Sequence, residues 1–253
     1  MIKFLGTAGA RFVVSRQLRF SAGVFISSAG RNVLIDPGPG TLLRLAKSRP
    51  KIDVSGIDAV ILTHNHIDHS SDVNVVIDGM TGGGLKKRGE LFAPAEALEG
   101  EDTVILNYLK GFLENITPLR AESDYSAGNL RFSTSVRHIH AAETYGLKFE
   151  LGGQKVSLIA DTLFFPELID SYKGSDVLII NTVRLKPHES QDIMHLCACD
   201  VRKLVEGIRP REVYLTHFGM TMLQAKPRKV AAELSESLGI KITAVTDGME
   251  LDL

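Results

Sequence analysis

The segment His64-Asn65-His66-Ile67-Asp68-His69 packs three imidazoles and a carboxylate into six consecutive positions. In a packed interior each of these groups would need its own hydrogen-bond partner. A divalent cation satisfies several at once, because neutral imidazole nitrogen and carboxylate oxygen are good ligands for zinc-type metals. If the chain turns here from a strand into a helix, His64 and His66 face one cation while Asp68 and His69 face a second. A polar surface turn is the plain alternative, and the density of ligand-type residues argues against it. Other metal-competent side chains follow singly: His138, His140, Asp161, His195 and His217. His138 and His140 are spaced so that on a strand they point the same way, so geometry alone leaves the choice between them open.

Several of these residues sit where strands should stop. Short apolar runs end on Asp36, His64, Asp161, Asn181 and His217. Four or five apolar residues with little alternation suit a strand covered on both faces, and sites in layered α/β proteins gather at the carboxyl ends of such strands. Helical patterns lie between them at residues 41–48, 103–113, 200–207 and 228–239, the last closed by Gly239 as a C-cap. Residues 23–27 and 32–35 read as a hairpin turning through Ser28-Ala29-Gly30-Arg31, and residues 129–150 are again strand-like. The expectation is an α/β protein, two sheets with helices outside, forming one domain over residues 1–253. Residues 79–119, with Gly82-Gly83-Gly84 and Pro94, read as an irregular insertion over the active face. No repeat of residues is visible.

Composition narrows the function classes. The 253 residues are 44% hydrophobic and 23% charged, ordinary for a globular protein. Lys+Arg total 29 against 30 Asp+Glu, a formal net charge of −1, which argues against a dedicated polyanion binder. Lys86-Lys87-Arg88 and Lys226-Pro227-Arg228-Lys229 read as solvated surface. No apolar run approaches the length of a membrane span and no signal peptide is visible, so a cytoplasmic protein with no membrane partner is expected. The two cysteines, Cys197 and Cys199, are placed at a helix start where their side chains diverge and do not bridge. They are expected to pack or cap the helix rather than bind metal, since no further Cys completes a thiolate set. His188, after Pro187, reads as a loop residue.

The ordered set of residues resembles the metallo-β-lactamase superfamily. That family shows an Asp ending an early strand, a His-x-His-x-Asp-His motif, a lone His, a bridging Asp and a final His. Asp36, His64 to His69, a His near 140, Asp161 and His217 stand in that order, so the resemblance covers nearly the whole chain. It implies a four-layer αβ/βα sandwich with the site at the edge between the sheets. It further implies two divalent metal ions, zinc by expectation, with manganese or iron as alternatives. One cation takes His64, His66 and His140; the other takes Asp68, His69 and His217; Asp161 bridges them. His140 is preferred over His138 because it lies six residues before Gly146, a spacing similar to that in related phosphodiesterases. Asp36 stands behind the ligands and orients the histidine loop by hydrogen bonds. His195 is expected to approach a substrate phosphate, and Asp68 is counted with it among the residues taking part in the chemistry.

The resemblance implies a metal-dependent hydrolase in which a hydroxide shared by the two cations attacks the substrate. A secreted β-lactamase is disfavoured by the missing signal peptide. A glyoxalase-type thioesterase is disfavoured because only 36 residues follow His217. A flavodiiron oxidoreductase would carry Glu in place of His66. What remains is the phosphodiesterase and ribonuclease Z-like branch. Only 20 residues separate His140 from Asp161, too few for the long Gly-rich arm that grips tRNA. The expected substrate is therefore a cyclic nucleotide or short nucleic acid. RNA processing by a ribonuclease Z-like endonuclease is the first alternative, and a non-catalytic metal-containing binding protein the second. A homodimer is compatible with the resemblance.

Overall fold

The computed structural model describes residues 1–21, 23–190 and 192–253. The apolar runs seen in the sequence are strands buried on both faces, because successive side chains go to opposite sides of a sheet. On β3 (Arg31–Ile35), Val33 and Ile35 enter the core between the two sheets while Leu34 enters the core under the helices. An almost unbroken apolar run is what such a position requires.

The first sheet is built from β1 (Ile2–Gly6), β2 (Gly23–Ser28), β3, β4 (Ala59–Ile61), β5 (Glu90–Pro94) and β6 (Asn115–Leu119). In the second sheet stand β7 (Asp124–Ala127), β8 (Leu130–Arg137), β9 (Tyr145–Leu151), β10 (Gln154–Ile159), β11 (Val177–Asn181), β12 (Glu212–Thr216) and β13 (Lys241–Ala244). The chain then returns to the first sheet as β14 (Glu250–Leu251), giving the orders β14-β1-β2-β3-β4-β5-β6 and β13-β12-β11-β10-β9-β8-β7. Each sheet opens with an antiparallel meander and continues with parallel strands, from β3 to β6 and from β10 to β13. The arrangement repeats even though the residues do not.

Helices α1 (Ala10–Ser15), α2 (Thr41–Lys47), α3 (Ile67–Ser70), α4 (Val73–Thr81), α5 (Ala95–Leu98) and α6 (Asn107–Lys110) belong to the first half. The second half carries α7 (Glu167–Ser171), α8 (Ala198–Ile208), α9 (Met220–Gln224) and α10 (Pro227–Leu238). α4 sets Val73, Val76, Ile77 and Met80 against Val60 and Leu91 of the first sheet. α8 and α10 set Val201, Leu204, Val205, Val230 and Leu234 against Leu178, Ile180, Val213 and Leu215 of the second. A third core lies between the sheets, where Phe4, Ile35 and Ile61 meet Leu147, Leu158 and Ile179. Helix, sheet, sheet and helix thus form four layers, as expected. α10 begins with Pro227 in its first turn and ends at Gly239, whose φ of 66° suits a glycine C-cap.

Three expectations are corrected. Residues 79–119 are not an irregular insertion, since they hold β5 and β6, which extend the first sheet in parallel with β4. The glycines that suggest irregularity follow the end of α4, and Pro94 is the last residue of β5. The helix expected over 103–113 shrinks to α6, because Asn74 on α4 intercepts the backbone. Its Oδ1 accepts from Leu106 N–H at 2.9 Å and its Nδ2 donates to the Val104 carbonyl at 2.8 Å. Finally, Cys197 and Cys199 are joined in a disulfide with Cα atoms 5.4 Å apart, within bridging range. The helix start is where the sequence places them, but Cys197 is the N-cap of α8 with extended backbone (φ −113°, ψ 171°), so the helical geometry that makes the side chains diverge does not apply to it. The capping expectation holds: the Cys197 N–H donates to Asp200 Oδ2 at 3.1 Å.

Candidate metal centre

The ends of the central strands meet at one edge of the sandwich. β3 delivers Asp36, the loop after β4 delivers His64 and His66, and α3 carries Asp68 and His69. From the other sheet come His138 and His140 after β8, Asp161 after β10, Asn181 at the end of β11 and His217 after β12. Asp36 and His217 both have left-handed backbone, with φ of 49° and 57°, uncommon for residues with a Cβ and held only where surrounding contacts over-determine it.

The charge state of the cluster is built outward from Asp36, which is buried. Its Oδ1 accepts from Thr63 N–H at 2.7 Å, and its Oδ2 accepts from the Thr63 hydroxyl at 2.7 Å. That hydroxyl already donates its hydrogen bond to Asp36, so it accepts from His64 Nδ1, 3.0 Å away. Asp36 Oδ2 also lies 2.9 Å from His69 Nδ1. On the far side, His140 Nδ1 faces the Met194 carbonyl at 3.0 Å, which only accepts. In His64, His69 and His140 alike, Nδ1 is thereby the donor.

The neutral form of each of these rings then presents a lone pair on Nε2. His140 Nε2 meets His66 Nδ1 at 3.0 Å, and His69 Nε2 meets His217 Nε2 at 3.2 Å. Asp161 Oδ2 stands 3.5 Å from His69 Nε2, 3.3 Å from His217 Nε2 and 3.3 Å from His195 Nε2. Asp68 Oδ2 is 3.6 Å from His217 Nε2. Donor atoms fall within 4.8 Å of one another in the sets His64, His66, His140; His64, His69, Asp161; Asp68, His69, His217; and His140, Asp161, His195. His64 Nε2 is the decisive atom, being fully buried among these rings without a hydrogen-bond partner. An orphaned imidazole lone pair costs free energy unless something accepts it, and a divalent cation fits.

Electrostatics favour the neutral ring at His64 and His140 and the charged form at Asp161 and His69. Burial holds His64 well below its ordinary value and pushes His140 down to about 4, so both favour the neutral, ligating form. Burial alone would raise Asp161, but the charge of His217 and hydrogen bonds from His195, His217 and His69 keep it well below the usual carboxylate range. Burial likewise disfavours charge on His69, yet Asp68 and Asp36 outweigh it and hold its proton.

Every metal-ligand position read from the sequence lies in this cluster, and His195 joins it beside Asp161. His138 does not. Its Nδ1 faces the Asp161 carbonyl at 3.3 Å and its Nε2 the Tyr172 hydroxyl at 2.8 Å, beneath the cluster. His188 is exposed in its loop. Three contributors escaped the sequence reading. Thr63 precedes the motif directly, and its hydroxyl type was the available signal. Asn181, which donates to Asp161 Oδ1 at 2.9 Å, was marked only as a strand end. The Met194 carbonyl leaves no trace in a sequence.

The model of the beta-lactamase superfamily domain matches residues 31–218, the span that holds the whole cluster. The chain belongs to the metallo-β-lactamase superfamily. An uncharacterised protein of Methanocaldococcus jannaschii is 27% identical over the full length of this superfamily member and 94% of its own. Ribonuclease Z of Methanopyrus kandleri is 32% identical over 43% of the chain and 38% of the enzyme. Among solved structures, the metallo-β-lactamase fold protein YhfI of Bacillus subtilis superposes with a TM-score of 0.76 at 18% identity, covering 98% of this chain and 97% of its own. A diphosphatase from the PhnP family gives 0.70 at 22%, covering 100% and 97%. The short form of human tRNase Z gives 0.68 at 16%, covering 99% and 98%. At these identities the structural likeness concerns the fold.

Proposed function

We propose that this superfamily member is a metal-dependent phosphodiesterase acting on a cyclic nucleotide or another short phosphodiester. The observation that carries the reading is the convergence of imidazole lone pairs and Asp161 around the orphaned Nε2 of His64. His64, His66 and His140 would hold one divalent cation, Asp68, His69 and His217 another, with Asp161 shared. Zinc is the expected metal, and manganese or iron suits the same ligands. Such a pair would supply Lewis acidity and a water of lowered pKa.

The chain's own residues do the rest. Asp36 and Thr63 fix Nδ1 of His69 and His64 as the hydrogen-bond donor, which leaves Nε2 as the ligating nitrogen; at His69 the proton that Asp68 and Asp36 hold would give way to a cation. Asn181 fixes the rotation of the Asp161 carboxylate. His195, with Nε2 3.3 Å from Asp161 Oδ2, is placed to donate a proton to the leaving alkoxide or to steady the phosphate charge. Asp68, whose Oδ2 lies 3.6 Å from His217 Nε2, adds the negative charge of the second donor set.

A tRNA-processing endonuclease is the second reading, favoured by the match to a stretch of ribonuclease Z. The interval from His140 to Asp161 weighs against it. That interval is filled by the β9–β10 hairpin, closed by Gly152 and Gly153 with φ of 58° and 76°, a two-residue turn of the kind that favours glycine. No arm leaves the body there. The test is to measure bound metal first, then compare a 2′,3′-cyclic nucleotide with a precursor tRNA. Faster hydrolysis of the cyclic nucleotide is expected. Cleavage of the tRNA alone would move the assignment to the nuclease. Bound metal with no hydrolysis of any phosphodiester, thioester or lactam would point to a binding protein.

A further inference from the structure

Beyond the cluster itself, a network of partly buried polar contacts from both ends of the chain converges on the backbone of Phe218, the residue that follows His217. The Thr7 hydroxyl donates to Asp247 Oδ1 at 2.6 Å and accepts from Arg19 Nη1 at 2.8 Å. Asp247 Oδ2 accepts from Phe20 N–H at 3.0 Å, and Arg19 Nη1 reaches the Val245 carbonyl at 3.3 Å. Segment 7–9 is thereby pinned between residues 19–20 and the turn at 245–247. That segment grips the chain beside the ligand: Phe218 N–H donates to the Thr7 carbonyl at 2.8 Å, and Gly9 N–H to the Phe218 carbonyl at 3.0 Å. The Arg19 guanidinium lies over the Phe218 ring, 5.3 Å from its centroid. Gly9 backs directly onto His217, where a Cβ would come within 2.3 Å of the His217 carbonyl oxygen.

We infer that Asp247, Thr7 and Arg19 are positioning residues for His217 and through it for the cation shared with Asp68 and His69. The inference rests on the two-cation reading above. His217 stands at a φ of 57°, a backbone state that a residue with a Cβ leaves unless its surroundings hold it. In that state its Nε2 lies 3.2 Å from His69 Nε2 and 3.3 Å from Asp161 Oδ2. His64, His66 and His140 have no contact with this network, so the clamp acts on one cation and spares the other. None of the three clamp residues touches the donor atoms. Their effect travels through the Thr7–Phe218 and Gly9–Phe218 backbone bonds.

The experiment titrates the apoprotein with zinc against a chromophoric chelator, which needs no turnover. Wild type is expected to take two equivalents. Thr7→Val, which removes the hydroxyl but keeps the side-chain shape, and Asp247→Asn should each keep one equivalent at wild-type affinity. The second should bind about 10–100-fold more weakly, the usual effect of losing an orienting partner. Thr7→Ser restores the hydroxyl and should restore the second equivalent. If Asp247→Asn does not fold, the Thr7 pair decides. Unchanged affinity for both equivalents in Thr7→Val would overturn the clamp, and so would parallel loss of both, which would mark a general destabilisation. Wild type that binds no zinc would instead bring down the two-cation reading on which the clamp depends.

Discussion

His64 illustrates how a side chain's chemistry is settled by the atom that faces away from the site. Its Nδ1 is committed to Thr63, and Thr63 is committed to Asp36, so Nε2 carries the lone pair. Replacing Thr63 by Val breaks that relay while leaving every donor atom in place. Metal affinity is expected to fall about 10–100-fold, read by zinc competition, while unfolding free energy drops by about 1–3 kcal/mol for the buried His64 Nδ1–H left without its acceptor. Unaltered affinity would show that the relay does not set the tautomer. Asp161 and His195 separate in a second prediction. Asp161 belongs to two of the donor sets, so Asp161→Ala should weaken the binding of both cations. His195→Ala should keep the metal and slow turnover about 10²–10⁴-fold, as loss of a general acid does. Equal metal loss in the two variants would refute this division of roles.

At the level of elements, the loop after β8 is held by a contact between secondary structures that lie far apart in the chain. Tyr172, just past α7, is fully buried and donates its hydroxyl to His138 beneath the cluster. Gly146 on β9 makes room for it: a Cβ there would lie 1.7 Å from the Tyr172 hydroxyl and 2.7 Å from the Leu158 carbonyl oxygen. Gly146→Ala is expected to destabilise the fold by about 1–3 kcal/mol through overpacking and to displace His138. Chemical denaturation would reveal it, and a variant of wild-type midpoint would show that Tyr172 moves freely. In the sequence Gly146 served only as a spacing mark for choosing His140 over His138, and the preferred histidine is the one whose Nε2 faces His66.

For the whole molecule, the two sheets share one plan of antiparallel meander followed by parallel strands, and the ends of those strands meet across the inter-sheet core. Stability and metal binding are therefore coupled. Burial holds His138 and His140 down at about 4, against 6.5 for an unperturbed ring. With folded values below unfolded ones, the contribution of these neutral rings is present above about pH 6.5 and lost as the pH falls toward 4. Thermal unfolding in chelator is expected to lose about 1 kcal/mol or more over that window. Zinc at a hundredfold excess over its Kd should add about 2.7 kcal/mol at neutral pH and progressively less in acid, because protons compete for the ligating nitrogens. A melting temperature indifferent to both pH and zinc would contradict the coupling. Among the described residues, no helix is long and apolar enough to cross a membrane.

The residue types and their order, from Asp36 through the histidine motif to His217, are properties of the chain itself, and so are the doubly buried strands that carry them. Both follow from local chemistry: a run of apolar residues demands burial, and a crowd of imidazoles demands an acceptor for their lone pairs. Asn74 ending a helix early, residues 79–119 turning out to extend a sheet, and the Cys197–Cys199 bridge depended on contacts or backbone angles that periodicity does not encode. Tertiary structure alone decided which nitrogen of His64, His69 and His140 is free, since that is fixed by Thr63, Asp36 and the Met194 carbonyl from separate places in the fold. The same holds for the grip on His217, where residues 7, 19 and 247 meet only because β14 returns to pair with β1.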